Sequence, residues 1–339
     1  MSKLIIAGDT SKEKIDFAII QDGKTLQEKS IKNKKSDLTS FVKSVLSIYS
    51  SLKQGNAVTE MFFVFEHTGI YNNIILDIIH NHNAKVALLH SGAIKSVTKV
   101  SRGKNDRLDA LLIGEYAWRF YDKLEFQDVL DEDFINLKHL HKTRESLVKE
   151  LSRAKAKLSE NTFYSPEQVK INNEMYKPQI ALFTKQIAAI DKKIEEVINA
   201  NSEFKKTRKF CISVPGIGKV TAAALIVYTY NFTKFLSAKQ LGSYCGVVPF
   251  ERSSGAYKGR MKVSQAANKQ LKTLLHLCAL SAVQKSNPFG VYYKRKVEED
   301  KKNKMSVLNA VRNKLLLAVF ACVKNETLYD RNYAYSTAA

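Results

Sequence analysis

Cysteine is sparse in this chain: four residues, Cys211, Cys245, Cys278 and Cys322, lie 33 or more positions apart with no CxxC pair. That spacing excludes a local zinc knuckle and argues against a disulfide framework, so a reducing, cytoplasmic compartment is expected. No apolar run approaches the roughly 18 residues that a membrane span needs. Met1–Leu4 leads straight into a strand-like run rather than a signal peptide, so no membrane partner is expected. Acidic side chains are lacking at one end only. Residues 205–339 hold 24 Lys and Arg against 6 Asp and Glu, whereas residues 1–130 hold 18 and 15 and residues 131–204 hold 12 of each. Nearly all of the net charge of +21 therefore sits in the last third. A general need for solubility would not concentrate charge in this way. A folded segment so unbalanced repels itself unless a polyanion neutralises it, and nucleic acid is the expected partner.

What is present is a globular composition, with 45% hydrophobic and 10% aromatic residues over 339 positions, enough for two compact domains and a connector. The front, residues 1–130, reads as mixed α/β. Leu4–Asp9 is a short apolar strand closed by a carboxylate; Lys14–Ile20 and Thr25–Ser30 flank an Asp22-Gly23 turn. Residues 36–53 are apolar at helical spacing, and Met61–Phe65 is a buried-strand run that again ends in a carboxylate, Glu66. A helix near 70–82, a strand at Lys85–Leu89 and a helix from Asp106 to Tyr121 follow. Three hairpin-type strands, then alternating strands and helices, is the order of an RNase H-like domain. In residues 131–204, Leu137, Leu140, Arg144, Leu147, Leu151, Ala154 and Leu158 step by 3 and 4. After Ser165-Pro166 so do Tyr176, Ile180, Phe183, Ile187, Ile190, Ile194 and Val197. These heptad seams predict two long helices in a coiled-coil hairpin or an oligomeric coiled coil, and favour self-association. The basic third, 205–339, reads as mainly helical, with a helix-hairpin signal at Val214–Ala222, helices near 237–244, 269–285 and 306–323, and a Gly/Ser break at Ser253-Ser254-Gly255.

Four front carboxylates are candidates for chemistry. Asp9 and Glu66 each close a strand; Asp106 and Asp109 share one face at a helix start. Two such charges about 4 Å apart repel by about 4 kcal/mol at an effective dielectric of 20. A cluster is therefore stable only with protons or divalent cations, and oxygen ligands favour Mg²⁺ or Mn²⁺. The alternative is that Asp106 caps its helix and Asp109 is simply exposed. Lys104 and Arg107 flank this helix and would hold a phosphate beside the metal or balance the acids. In the rear, Ser253-Ser254-Gly255 lies among Arg252, Lys258, Arg260 and Lys262, cations suited to stabilise charge developing on an attacked phosphate. Serine needs activation, and the basic domain has one histidine, His276, and few acids. The activating group is then the metal of the front domain, of the same subunit or of another. Gly216, Gly218 and Lys219 resemble a helix-hairpin-helix turn whose backbone N–H groups contact phosphate, or a glycine turn between packed helices. Tyr292-Tyr293-Lys294-Arg295-Lys296 mixes aromatics and bases as a nucleic-acid face would, or is a solvated helix surface. The tail, 332–339, is expected to fray.

These residues resemble the insertion-sequence transposases usually called the "IS one-ten" family, which includes Piv-type DNA invertases and bridge-RNA-guided recombinases. The resemblance covers nearly the whole chain. The family's Ile-Asp-x-Ser-Lys is similar to Gly8-Asp9-Thr10-Ser11-Lys12, its Glu-x-Thr-Gly-x-Tyr to Glu66–Tyr71, and its Lys-x-Asp-x-x-Asp-Ala to Lys104–Ala110. Its Pro-Gly-Ile-Gly is Pro215–Gly218, and its Ser-Gly is Ser254-Gly255; a usual Gly-Asn pair reads Ala267-Asn268 here. The resemblance implies a RuvC-like domain with a metal site on Asp9, Glu66, Asp106 and Asp109. It implies a helical transposase domain whose serine forms a covalent phosphoserine link to DNA; the following glycine favours Ser254 over Ser253. It also implies double-stranded donor and target DNA, a structured noncoding guide RNA, and a tetramer whose sites combine domains of different protomers.

Overall fold

A computed structural model describes residues 2–90, 92, 106–127, 132–250, 253–254, 257–258, 263, 267–284 and 286–330, with backbone alone at 106, 107, 127, 253, 254, 257 and 258. Two compact units result, Met1–Leu130 and Asp131–Ala339.

In the first unit, strands β1 (Lys3–Thr10), β2 (Lys14–Gln21), β3 (Lys24–Lys32), β4 (Glu60–Glu66), β5 (Lys85–Leu89) and β6 (Phe126–Gln127) form one sheet in the order β3-β2-β1-β4-β5-β6. β1 runs antiparallel to β2 and parallel to β4, which is parallel to β5. The central strands read as unbroken apolar runs because both of their faces are covered. One face packs Leu4, Ile6, Phe17, Phe63 and Phe65 against helices α1 (Lys35–Gln54) and α2 (Asn73–Asn81). The other packs Ile5, Ala7, Phe62 and Val64 against Ala110, Ile113 and Ala117 of α3 (Asp106–Arg119). Gly114 lets α3 settle on the sheet, since a Cβ there would lie 2.2 Å from Ile20 Cδ1 and 3.1 Å from Ala7 Cβ. The helix expected over 70–82 is divided: a 3₁₀ turn, Gly69–Asn72, precedes α2.

The second unit begins with two long helices, α4 (Glu132–Ser159) and α5 (Pro166–Ala200). Ser165 and Gln168 cap α5 reciprocally, with Pro166 in its first turn. Three polar rungs show that the pair is antiparallel: Asn201 Nδ2 to Asp133 Oδ2 at 3.1 Å, Arg144 Nε to Asp191 Oδ1 at 2.5 Å, and Asn172 Nδ2 to Asn161 Oδ1 at 3.0 Å. Of the heptad positions, Leu137, Leu140, Ala154 and Ile194 are buried, and the others are half-buried. After them come α6 (Ser202–Ser213), α7 (Lys219–Thr229), α8 (Ala238–Tyr244), α9 (Lys269–Val283), α10 (Pro288–Lys294) and α11 (Lys304–Lys324). They enclose one core in which Leu225 of α7, Leu271 and Leu275 of α9, and Val311, Leu315 and Val319 of α11 are fully buried. By length and composition α11 could cross a membrane, with a mean hydropathy of 1.5, which corrects the expectation that no such run exists; half of that stretch is buried in this core. A helix surrounded by packing partners is apolar nearly all round for that reason.

Two differences from the sequence reading concern the rear. The expected break at 253–255 contains a ribbon, β7 (Ser253–Ser254) paired antiparallel with β8 (Tyr257–Lys258). Tyr292 and Tyr293 lie half-buried against the core on α10, which continues into a π-helical turn, Arg295–Glu299, while Lys294 and Arg295 are exposed. Residues 332–339 lie outside the described residues.

Candidate functional site

The register of β1 and β4 brings two of the four candidate acids together. Gly8 pairs with Phe65, so Asp9 and Glu66 follow it as neighbours where the parallel strands end. Strand alternation then assigns a face. Ile5 and Ala7 pack towards α3, as do Phe62 and Val64, and Asp9 and Glu66 continue those two rows. α3 runs back along the sheet: Gly114 lies over Ala7, and the Trp118 indole lies beside Gly23 at the opposite edge. Its first turn, with Asp106 and Asp109, is therefore at the edge where Asp9 and Glu66 stand. Asp109 is partly buried. Among the described residues no group of three acids, histidines or cysteines is close enough to hold a metal ion. The side chains of Asp106 and Arg107 are not among those described, and Lys104 lies outside the described residues.

Three residues that the sequence reading passed over shape this edge. Asp16 pairs with Asp9 across β1 and β2, is 4% exposed, meets Lys14 Nζ at 2.8 Å and has an Oδ1 atom without a hydrogen-bond partner. Its signal was present, a charge inside the buried run Ile15–Ile20. Asn72 is buried; its side chain donates to the Glu66 carbonyl at 3.1 Å and accepts from Thr68 N at 3.0 Å. Asn33 Nδ2 donates to Ser11 O at 2.9 Å and Tyr71 O at 3.0 Å, tying the loop after Asp9 to the turn after Glu66. Gly69 takes φ +76°, a conformation that glycine adopts without strain, and so explains the glycine of Glu66–Tyr71.

In the rear, the two motif glycines do different things. Gly216 has φ +91°, and a Cβ there would lie 2.6 Å from Cys278 O and 2.9 Å from Ala282 Cβ, so its role is close packing on α9. Gly218 is exposed with nothing near its Cβ position, and it starts α7 without a side-chain cap. Lys219 at this start is exposed, yet its Nζ lies 3.3 Å from Glu195 Oε2, which also meets Arg208 Nη1 at 2.8 Å. Ser254 is the last residue of β7, opposite Tyr257; Ser253 lies opposite Lys258. Arg252, Arg260 and Lys262 lie outside the described residues.

A polar cluster unforeseen in the sequence joins α4 to α7. The Tyr228 hydroxyl donates to Glu145 Oε1 at 2.6 Å, Lys142 Nζ lies 3.2 Å from Glu145 Oε2, and buried His141 Nε2 lies 3.3 Å from Oε1. Burial alone would raise the Glu145 carboxyl, but the hydrogen bond from Tyr228 and the nearness of His141 and Lys142 hold it at about 2. Burial and then the Glu145 carboxylate push the Tyr228 phenol up, so it remains a donor.

Comparison with known families decides the class. A DEDD-type transposase model of the IS110 group matches residues 6–161, and one described as "Transposase IS116/IS110/IS902 family" matches residues 209–294. Together they match more than two thirds of the chain. This chain belongs to the IS110 family of transposases. It is 25% identical over 334 residues, 98% of its length and 99% of the relative's, to the pilin gene-inverting protein of Moraxella lacunata. It is 24% identical over 260 residues to the transposase of insertion sequence element IS1111A from Coxiella burnetii, covering 68% and 69% of the two chains. Over 199 residues it is 27% identical to the transposase of IS1328 from Yersinia enterocolitica, covering 53% and 59%. An IS110-family transposase is a DNA-recombining enzyme with DNA as its substrate. Asp9, Glu66, Asp106 and Asp109 fall within the DEDD match, and Ser254 within the second.

Proposed function

We propose that this IS110-family transposase cuts and rejoins DNA strands through a phosphoserine link formed by Ser254 with help from a divalent ion. The observation that carries the reading is that Asp9 and Glu66 stand side by side where the parallel strands end, on the face that α3 covers. The donor set fits a hard cation: oxygen ligands only, with a further buried carboxylate oxygen, Asp16 Oδ1, lacking a hydrogen-bond partner beside Asp9. Asp9, Glu66, Asp106 and Asp109 would hold Mg²⁺ or Mn²⁺. When bound, such an ion supplies Lewis acidity and lowers the pKa of an oxygen it contacts. Ser254 Oγ loses its proton and bonds to a DNA phosphorus as the bond to the leaving deoxyribose oxygen breaks; attack by a second strand's hydroxyl reverses this and joins the strands. Arg252, Lys258, Arg260 and Lys262 would stabilise charge on that phosphate. Gly218 and Lys219 at the start of α7, with Lys104 and Arg107 beside α3, would contact backbone phosphates, whereas Gly216 serves packing. Adjacent positions on a strand lie on opposite faces, so Ser253 and Ser254 do not substitute for one another.

The finer assembly belongs to the same reading. The α4–α5 arm, with its half-buried seam, would join protomers as a coiled coil into a dimer or tetramer in which one protomer's acids serve another's serine. A structured noncoding RNA would supply target choice by pairing, and the enzyme would work in the cytoplasm at the nucleoid. The full-length likeness to a gene-inverting protein favours one rival, an invertase acting without RNA. Trapping the protein on a DNA substrate with Mg²⁺ tests the chemistry: the attached residue should map to Ser254, and Ser254→Ala should form no adduct. Full cleavage and joining by that variant would leave a metal-activated endonuclease instead. Sequencing co-purifying RNA separates the guided reading from the invertase.

A further inference from the structure

The segment bearing Ser254 has both of its ends fixed by one residue. Between Tyr244, the last residue of α8, and Asn268, the cap of α9, lie 23 residues. Asn268 N donates to Tyr244 O at 2.8 Å, and Asn268 Nδ2 donates to Tyr244 Oη at 3.0 Å. Asn268 Oδ1 meanwhile accepts from Leu271 N at 3.0 Å, capping α9. A single side chain thus closes the segment and starts the next helix. Only an amide does both, because it offers an acceptor to the helix and a donor to the phenol.

We infer that Asn268, acting with Tyr244, is the positioning residue that closes the neck of the Ser254 segment, so that the serine meets its phosphate in a reactive orientation. This rests on the reading of Ser254 as the nucleophile. Closing a segment of this length costs entropy that grows with its length, and the hydrogen bonds at its neck offset that cost before DNA arrives. Small displacements of a reacting group cost large factors in rate. The neck therefore acts on the rate of attack rather than on DNA affinity.

The test uses the full-length chain, a DNA substrate and Mg²⁺, with the rate of covalent adduct formation measured at saturating DNA alongside DNA affinity. Tyr244→Phe removes the acceptor of Asn268 Nδ2 while keeping the ring, and Asn268→Asp keeps the helix cap while removing the donor. Each should slow adduct formation about tenfold, the effect of one such hydrogen bond, with affinity within about twofold and the melting temperature nearly unchanged. The double variant should lose little beyond either single one, because both break the same contact. Adduct formation at the parental rate in both single variants would overturn the inference, as would equal losses of rate and affinity. Ser254→Ala, run in parallel, keeps the two readings apart: an adduct that persists there refutes the nucleophile itself, whatever Asn268 does.

Discussion

Replacing Gly216 by alanine separates packing from DNA contact at the glycine turn, because its neighbour Gly218 serves as a control within the same motif. At Gly216 an alanine would have to hold φ +91° and place a methyl group 2.6 Å from Cys278 O and 2.9 Å from Ala282 Cβ. The left-handed backbone costs about 1–2 kcal/mol for a residue with a Cβ. Overpacking against a helix backbone adds about 1–3 kcal/mol. A loss of about 3 kcal/mol is expected, which for a unit of this size lowers the melting temperature by about 6–12 °C. Gly218 has φ −98° and ψ 174°, allowed for any residue, and open space around its Cβ position. Alanine there should cost under about 1 kcal/mol as a poorer helix cap. The assay is thermal unfolding followed by circular dichroism, with DNA binding measured well below the transition. Gly216→Ala melting within about 2 °C of the parent, or Gly218→Ala proving the more damaging, would refute the assignment of Gly216 to packing.

Gly114→Ala should push α3 off the sheet, since its methyl would meet Ile20 Cδ1, and should cost about 1–3 kcal/mol in stability by denaturant titration. Asp9→Ala should weaken Mn²⁺ binding, read by calorimetry, while leaving adhesion to DNA through the basic third intact. Glu145, held at about 2 against an ordinary 4.5, contributes stability that is fully present above pH 4.5 and is lost as the pH falls towards 2; Glu145→Gln should flatten unfolding over that window. Neutralising Lys258 should lower affinity similarly for all DNA sequences and reduce the slope of log K against log salt by about one.

The front unit was largely legible because its elements announce themselves locally: each central strand is an apolar run, and α1 shows a helical period. Asp9 and Glu66 could be singled out since a carboxylate interrupts such a run at its end. Asp16 could not be singled out so readily, because its importance comes from standing opposite Asp9, and pairing register is not written in either strand alone. The same holds for Asn33 and Asn72, ordinary loop residues until the fold sets them between two backbone carbonyls. In the rear, α11 looked unremarkable in a sequence scan because charged residues punctuate it, yet packing from several sides makes it the apolar axis of its unit. The cluster of Glu145 with Tyr228 spans 83 positions and follows no spacing rule. The capping role of Asn268 was visible in principle, as an Asn before the apolar period of α9; its grip on Tyr244 was not.

The polar rungs of the α4–α5 arm join positions whose numbers rise on one helix as they fall on the other: 133 with 201, 144 with 191, 161 with 172. Such a ladder couples the lengths of its two rails. An insertion in one helix alone would slide every rung beyond it out of reach, whereas seven residues added to both would extend the arm by about 10 Å and leave its rungs and apolar rows in step. Chains built on this plan can vary their span only by matched changes, made twice in the gene at sites equidistant from the tip.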